Sequence, residues 1–288
     1  MFNWSLKLRQ QTEYCVPQGP SFQRARPIQF SISGTEISLR APRHNSNFSY
    51  KEAIQPRKEN EYKHLMMRPA RQHSKRWLYH NLFMRSWRFN GPWFSGFLGE
   101  LSMRIALITP EDSDQQTSLF RPKAFENGAT DYLQYCYAKD VFEGAQSWLA
   151  PVDWQVVSSW PCPAATFYVR ANAGSISSPK RYFLFPVTDK HFIEVYFNLH
   201  RGGAGLQEEK DKHISLSTIE QLSTDIINSI QIKLSPEALA QQTKALEGLE
   251  DTQLCDSFPP IKFTTPEQDA EYEKYLQDEL RTQEILNS

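Results

Sequence analysis

Apolar and polar residues alternate along several short segments of the chain, which is typical of β-strands with one buried face. The segment IQFSISGTEISLRAP alternates on both sides of Gly34 and predicts a hairpin that ends at Pro42. Further strands are predicted at SMRIALITP, DWQVVSSW, ATFYVRANA, RYFLFP and HFIEVYFNLH. In the last of these, one face is expected to carry Ile193, Val195 and Phe197 and the other Phe192, Glu194 and Tyr196.

The segment RWLYHNLFMRSWRFN, residues 76–90, fits either a strand or a helix by its spacing. Its many aromatic residues favour a strand, which Gly91-Pro92 ends. Under that interpretation one face carries Trp77, Tyr79, Phe83, Trp87 and Phe89.

Helical spacing appears mainly in the second half of the chain. A helix is predicted over about 129–140, and an apolar stripe after a capping box of Ser217 and Glu220 predicts another. That stripe is Leu216, Ile219, Leu222, Ile226 and Ile230. Two more helices are predicted, one between Ser235-Pro236-Glu237 and Gly248, and one from Thr265-Pro266-Glu267 toward residue 286.

These elements predict an α/β (α+β) fold, with an antiparallel sheet packed against helices and a C-terminal helical extension. Residues 1–26 form a lead-in segment, and residues 27–233 form the α/β domain. Within it, residues 43–76 are predicted to be a basic loop insertion with a short helix at 59–68. Residues 234–288 are the acidic helical extension.

The composition is that of a folded protein rather than a disordered one, with 40% hydrophobic and 23% charged residues in 288. No apolar run approaches the roughly 18 residues of a membrane-spanning helix, so no membrane partner is expected. The start, MFNWSLKLRQQTEY, has no signal-peptide pattern, which favours the cytoplasm. The four scattered cysteines are expected to be free thiols.

The net charge of −1 conceals a strong polarisation along the chain. Basic residues crowd one region, namely Arg57, Lys58, Lys63, Arg68, Arg71, Lys75, Arg76, Arg85 and Arg88. Acidic residues dominate from Glu247 to Glu284. Rings and arginines together could stack bases and bind phosphates, but a pI of about 6.7 and the acidic C-terminal third argue against direct nucleic-acid binding.

Sequence motifs for catalysis are weak. There is no G-x-S-x-G elbow, and the seven histidines lack metal-ligand spacing, so neither catalytic residues, a metal nor a cofactor is predicted. RGGAGL lacks the lysine and serine of a phosphate loop, and RGGAGLQEEKDKH is predicted to be a flexible connection. A hydrolytic enzyme that uses Cys162 or His191 remains an alternative.

Two resemblances follow from the ordered elements. RYFLFPVTDKHFIEVYFNL followed by STIEQLSTDIINSIQI resembles the end of PsbP/Mog1-like proteins, where paired strands precede a helix and a short last strand. IQFSISGTEISLRAP resembles the first hairpin of that fold, so the resemblance covers roughly residues 27–233. The insertion at 43–76 and the helices after Ser235 depart from it.

The second resemblance is to a group of proteobacterial proteins associated with type VI secretion toxins. It is carried by GPWFSG, PCPAATFYV, RYFLFPVTDKHFIEVYF and INSIQIKLSPEALAQQ. Such proteins are typically cognate immunity proteins or effector-loading adaptors, which act by binding. For a cytoplasmic immunity protein, the resemblance implies a toxin that acts in the cytoplasm, such as a nuclease.

Two surfaces are candidates for contact with such a toxin. The first is aromatic and arginine-rich and comprises Trp77, Tyr79, Arg85, Trp87, Arg88 and Trp93. The second is acidic and includes Glu267, Asp269, Glu271 and Glu273. This acidic surface could imitate a phosphate backbone and steer association with a basic cleft.

Overall fold

A computed structural model describes residues 14–46, 48–50, 68–71, 74–92, 96–110, 117–142, 145–172 and 175–286. Its strands are β1 Arg26–Ile32, β2 Thr35–Ala41, β3 Arg68–Arg71, β4 Ser74–Asn90, β5 Phe97–Pro110, β6 Val141–Phe142, β7 Ala145–Gln146, β8 Trp148–Val156, β9 Ala165–Ala171, β10 Lys180–Pro186, β11 Phe192–Arg201 and β12 Gln231–Lys233. The helices are α1 Pro122–Tyr137, α2 Gln207–Asp211, α3 Ser217–Asn228, α4 Pro236–Leu246 and α5 Pro266–Leu286.

Antiparallel sheets packed against helices confirm the predicted α+β class. The large sheet has seven strands in the order β3-β4-β5-β11-β10-β9-β8. A second sheet has the order β1-β2-β12, and β6 pairs with β7. In the second sheet, the predicted hairpin turns at Ser33 and Gly34, which both have positive φ, as a tight two-residue hairpin turn requires.

Two apolar cores lie on opposite faces of the seven-stranded sheet. Core A lies between this sheet and the three-stranded sheet with α3 and α4, and core B lies under α1. The predicted facing of β11 is confirmed, because Ile193, Val195 and Phe197 enter core A whereas Phe192 enters core B. Burial on both faces explains why this strand is apolar almost throughout.

The predicted single aromatic face of β4 is wrong. A β-bulge interrupts the pairing with β5 between Asn81 and Phe83, so that an extra residue exchanges the two faces of the strand. Trp77 therefore packs in core B and Tyr79 against it. Beyond the bulge, core A receives Phe83, Trp87 and Phe89.

The helix predictions need two corrections. Helix α1 begins at Pro122 rather than near residue 129, because proline is well suited to the first turn and Gly128 is accommodated as a buried position. The predicted capping box at Ser217 is wrong, since Leu216 is the cap residue and the Ser215 hydroxyl accepts a hydrogen bond from the backbone N–H of Ser217. The apolar stripe is confirmed, with Ile219 and Ile226 fully buried.

Two segments predicted as irregular contain regular structure. Residues 68–71 and 74–76, assigned to the basic loop, belong to β3 and β4, and most of the predicted helix at 59–68 lies outside the described residues. Helix α2 lies in the connection predicted to be flexible. Residues 68–71 form a strand because they pair with β4, and the hydrophobic period within one segment does not reveal such pairing.

The C-terminal third contributes to both cores. Helix α4 runs as predicted from a Ser235 cap, whose hydroxyl accepts from the N–H of Ala238, to just before Gly248. Ala238 packs in core A, whereas Leu254 and Phe263, in the following segment, pack in core B. The predicted start and end of α5 are also confirmed. Residues 234–263 thus share the hydrophobic cores of the sheet domain.

Candidate functional site

The tryptophans of the aromatic and arginine-rich strand are interior. Trp77 and Trp87 are almost fully buried, one in each core. The Trp87 indole N–H and the Arg85 guanidinium both donate to the backbone carbonyl of Pro42, over 3.2 and 2.9 Å. Burial lowers the pKa of Arg85. These side chains tie the end of the first hairpin to β4 and offer little surface to a partner.

Tyr79 belongs to a polar group on the core B side of the sheet. The Arg104 guanidinium lies 5.7 Å from the centre of the Tyr79 ring and donates two hydrogen bonds to the fully buried Glu194. Tyr132 of α1 donates to the second oxygen of Glu194 over 2.7 Å. Because each carboxylate oxygen has a donor, this group can be accounted for as an internal structural network.

The exposed end of β4 carries Arg88. Its guanidinium lies 5.4 Å from the centre of the Phe97 ring and donates to the Asn90 side chain over 2.6 Å. Phe48, which is 64% exposed, stacks on His200 with 4.9 Å between ring centres. Arg88 and these rings form an accessible aromatic cluster. The predicted contact residue Trp93 lies outside the described residues.

Sequence reasoning missed Phe48, Phe97 and His200 in this cluster. They come from three distant segments, and Phe48 lies in a stretch predicted as a loop insertion. The sequence marks the start of β5 by Gly96 and the end of β11 by Gly202, and these two strands are neighbours in the sheet. Only the pairing register brings their end residues together.

The acidic surface is built on α5, which begins with a reciprocal cap. The Thr265 hydroxyl accepts from the N–H of Gln268, and the Gln268 side chain accepts from the N–H of Thr265. Lys262 forms an ion pair with Asp269, which also accepts from Thr264 over 2.7 Å. These contacts fix the start of the helix against the preceding segment.

The electrostatics of α5 are dominated by carboxylates. A hydrogen bond from Thr265 lowers the pKa of Glu267, and a hydrogen bond from Lys262 lowers that of Asp269. Lys274 and Arg281 are the basic residues of the helix. Its acidic residues are Glu267, Asp269, Glu271, Glu273, Asp278, Glu279 and Glu284. This surplus gives the helix a negative field at neutral pH.

An exposed apolar stripe runs along the same helix. Tyr275 and Leu276 are 36% and 39% exposed, and Leu280, one turn further on, is 61% exposed. The Tyr272 ring stacks on that of Tyr275. Residues spaced by three and four lie together on a helix surface, so the stripe is continuous. Large exposed apolar side chains flanked by charge are characteristic of protein-binding surfaces.

Cys162 and His191, the residues of the hydrolase alternative, are buried and partly buried. Cys162 is 6% exposed, and burial raises the pKa of its thiol to about 12, which disfavours the thiolate that nucleophilic catalysis needs. His191 lies in the β10–β11 turn, where its Nδ1 is 2.8 Å from the Thr188 hydroxyl, and burial lowers its pKa. Within the described ranges, no group of three or more His, Cys, Asp or Glu side chains could hold a metal ion.

No helix in the described part of the chain is both long and apolar enough to cross a membrane. Comparisons with protein-family models, curated proteins and solved structures find no match to this chain.

Proposed function

We propose that the chain is a non-catalytic binding protein that neutralises a cognate protein partner by covering its active surface. The observation that carries this proposal is the exposed face of α5, where an acidic field and an apolar stripe occupy one helix. The negative field attracts a basic cleft over a distance, and the stripe supplies apolar contact area once the surfaces meet.

The partner that fits this chemistry is a protein with a cation-rich groove. Enzymes that bind nucleic acid have such grooves, because they must hold a polyanion. Together with the resemblance to proteins associated with type VI secretion toxins, this favours an immunity protein that acts in the cytoplasm against a nuclease toxin. In that role, the carboxylates of α5 occupy the path of the phosphate backbone, and the chain itself binds no nucleic acid.

The first experiment is recovery of the tagged full chain from its native host at moderate salt, with mass spectrometry of bound proteins. A single stoichiometric toxin-like protein whose activity the chain inhibits is the expected result. Recovery of the chain without such a protein, or with nucleic acid, would overturn the proposal.

A matched pair of variants then tests the surface. Reversal of Glu271 and Glu273 to lysine is expected to slow association with the recovered partner and to weaken its salt dependence. Glu267 is kept because its carboxylate accepts a hydrogen bond from Thr265, the residue that caps the helix. The control reverses the exposed Glu208 and Glu237, which changes the net charge equally at other sites. Equal association rates for both variants would remove α5 from the interface.

The apolar stripe also favours a second candidate, an effector-loading adaptor. An adaptor holds an apolar segment of its partner and later releases it, without loss of the partner's activity. A Leu276→Ser, Leu280→Ser double variant is expected to speed dissociation in either case. The activity of the bound partner separates the two roles, because an immunity complex is inactive whereas an adaptor complex is active.

A further inference from the structure

A lysine and a cysteine from distant parts of the chain meet at the start of α1. Lys123 Nζ lies 2.9 Å from the Sγ of Cys255 and 2.9 Å from Oε2 of Glu126. The same Oε2 lies 3.6 Å from Sγ, so the three side chains form a closed triangle of hydrogen bonds. Both the amine and the thiol are potential nucleophiles, and they are 132 residues apart in sequence.

Backbone contacts hold Cys255 in this position. Its N–H donates to Oε1 of Glu126 over 2.6 Å, and its carbonyl accepts from the Trp154 indole N–H over 2.9 Å. The preceding residue, Leu254, is anchored in core B. These contacts hold the Cys255 backbone, and the hydrogen bonds of Sγ with Lys123 and Glu126 define the position of the thiol.

The pair is accessible to small oxidants. The Lys123 side chain is 67% exposed and Cys255 is partly exposed, in contrast to the buried Cys15 and Cys162. Hydrogen bonds to Cys255 and Glu126 raise the pKa of Lys123, so its resting form is the ammonium ion. The ammonium must lose a proton to solvent before its nitrogen can react, and the Glu126 carboxylate holds that nitrogen beside Sγ by accepting a hydrogen bond from it.

We propose that Lys123 and Cys255 are a modification site at which peroxide forms a covalent N–O–S bridge between Nζ and Sγ. One peroxide oxidises the thiol to a sulfenic acid, with cleavage of the O–O bond and loss of water. A second peroxide oxidises the amine to a hydroxylamine, again with loss of water. The hydroxylamine oxygen then attacks the sulfenic sulfur and displaces its hydroxyl as a third water. The lysine nitrogen and cysteine sulfur are oxidised, and both peroxides are reduced.

The bridge replaces two hydrogens with one oxygen, so the full chain should gain about 14 Da, whereas sulfenic acid alone adds about 16 Da. The experiment treats the reduced full chain with hydrogen peroxide and measures the intact mass and the tryptic map. We expect the smaller gain, loss of cleavage after Lys123, and a cross-linked peptide that contains Lys123 and Cys255. A thiol reductant should restore the separate peptides.

Three variants make the result specific. Lys123→Gln and Cys255→Ser should abolish the cross-linked peptide, and the Cys255→Ser variant should retain cleavage after Lys123. Cys136→Ser, at another partly exposed cysteine, should leave the bridge unaffected. The proposal is overturned if wild type and Lys123→Gln give the same products, or if oxidation of Cys255 stops at oxygen addition without a link to the lysine.

Discussion

Arg104 Nη2 lies 2.6 Å from Oε1 of Glu194, which is fully buried, and Arg104 Nε donates to the same oxygen over 3.1 Å. The two residues lie on the central strands β5 and β11. A buried carboxylate must have its charge compensated, and here a cation and the Tyr132 hydroxyl do so together. The pair therefore fixes how α1 is placed on the sheet.

Removal of the Arg104 cation should strongly destabilise the folded state. We expect Arg104→Met to lower the free energy of unfolding by about 3–5 kcal/mol, because it leaves the Glu194 charge buried without its cation. Urea denaturation measures this loss. The control is Arg170→Met, which breaks a half-exposed ion pair with Asp153 and should cost at most about 1 kcal/mol. Similar losses in the two variants would contradict the role given to the buried pair.

Adjacent residues of β4 should behave differently. Trp87→Ala opens a cavity in core A and should lower the free energy of unfolding by about 3–5 kcal/mol. Arg88→Ala removes an exposed side chain and should change it by no more than about 0.5 kcal/mol. Thermal or chemical denaturation checks both values. A stable Trp87→Ala protein would show that this indole does not support core A.

The turn of the first hairpin offers a prediction about backbone conformation. Gly34 has φ of +79°, and a Cβ at this position would lie 3.2 Å from the Cβ of Ser235. Gly248 has φ of +73° with nothing within 4 Å of such a Cβ. Substitution by alanine should cost about 1–2 kcal/mol at Gly248 from the left-handed conformation alone. A larger loss is expected at Gly34, and equal losses would argue against a close approach of α4 to the hairpin.

His191 predicts a pH dependence of stability. Burial, with a smaller effect of Lys190, lowers its pKa in the folded state, so protons bind preferentially to the unfolded chain. The stability that the neutral ring contributes is present above the unfolded value of about 6.5 and is lost as the pH falls toward the folded value. Between pH 7.5 and 5.5, wild type should lose more stability than His191→Asn in urea denaturation. Parallel losses would show that this ring does not titrate with unfolding.

The hydrophobic pattern predicted most elements because each strand or helix has a local period and local end signals. Thr265-Pro266 and Ser235-Pro236 marked helix starts correctly, since the cap and the first-turn proline are adjacent in sequence. The bulge in β4 had no such signal, because it is defined by its pairing with β5. The acidic part of the candidate surface could be predicted from the sequence, because its carboxylates lie close together along one segment.

The aromatic cluster and the Lys123–Cys255 pair could not be predicted from a local sequence pattern. The sheet register brings Phe97 near His200, and Phe48 packs on both rings from a distant segment. Cys255 meets α1 next to Leu254, which packs in core B. Contacts between residues far apart in sequence depend on tertiary packing, and no periodicity within one segment encodes them.

The bulge in β4 links the two cores to a single alignment of the strand. A slip of β4 by one residue would turn Trp77 out of core B and, at the same time, Trp87 out of core A. Deletion of Leu82 would leave the other residues unchanged but would place both tryptophans on the same face. Without side chains of one strand in both cores, each core could tolerate a different alignment of β4 with β5. Here each core excludes the misalignments of the other, so the two cores are expected to form together in one cooperative step.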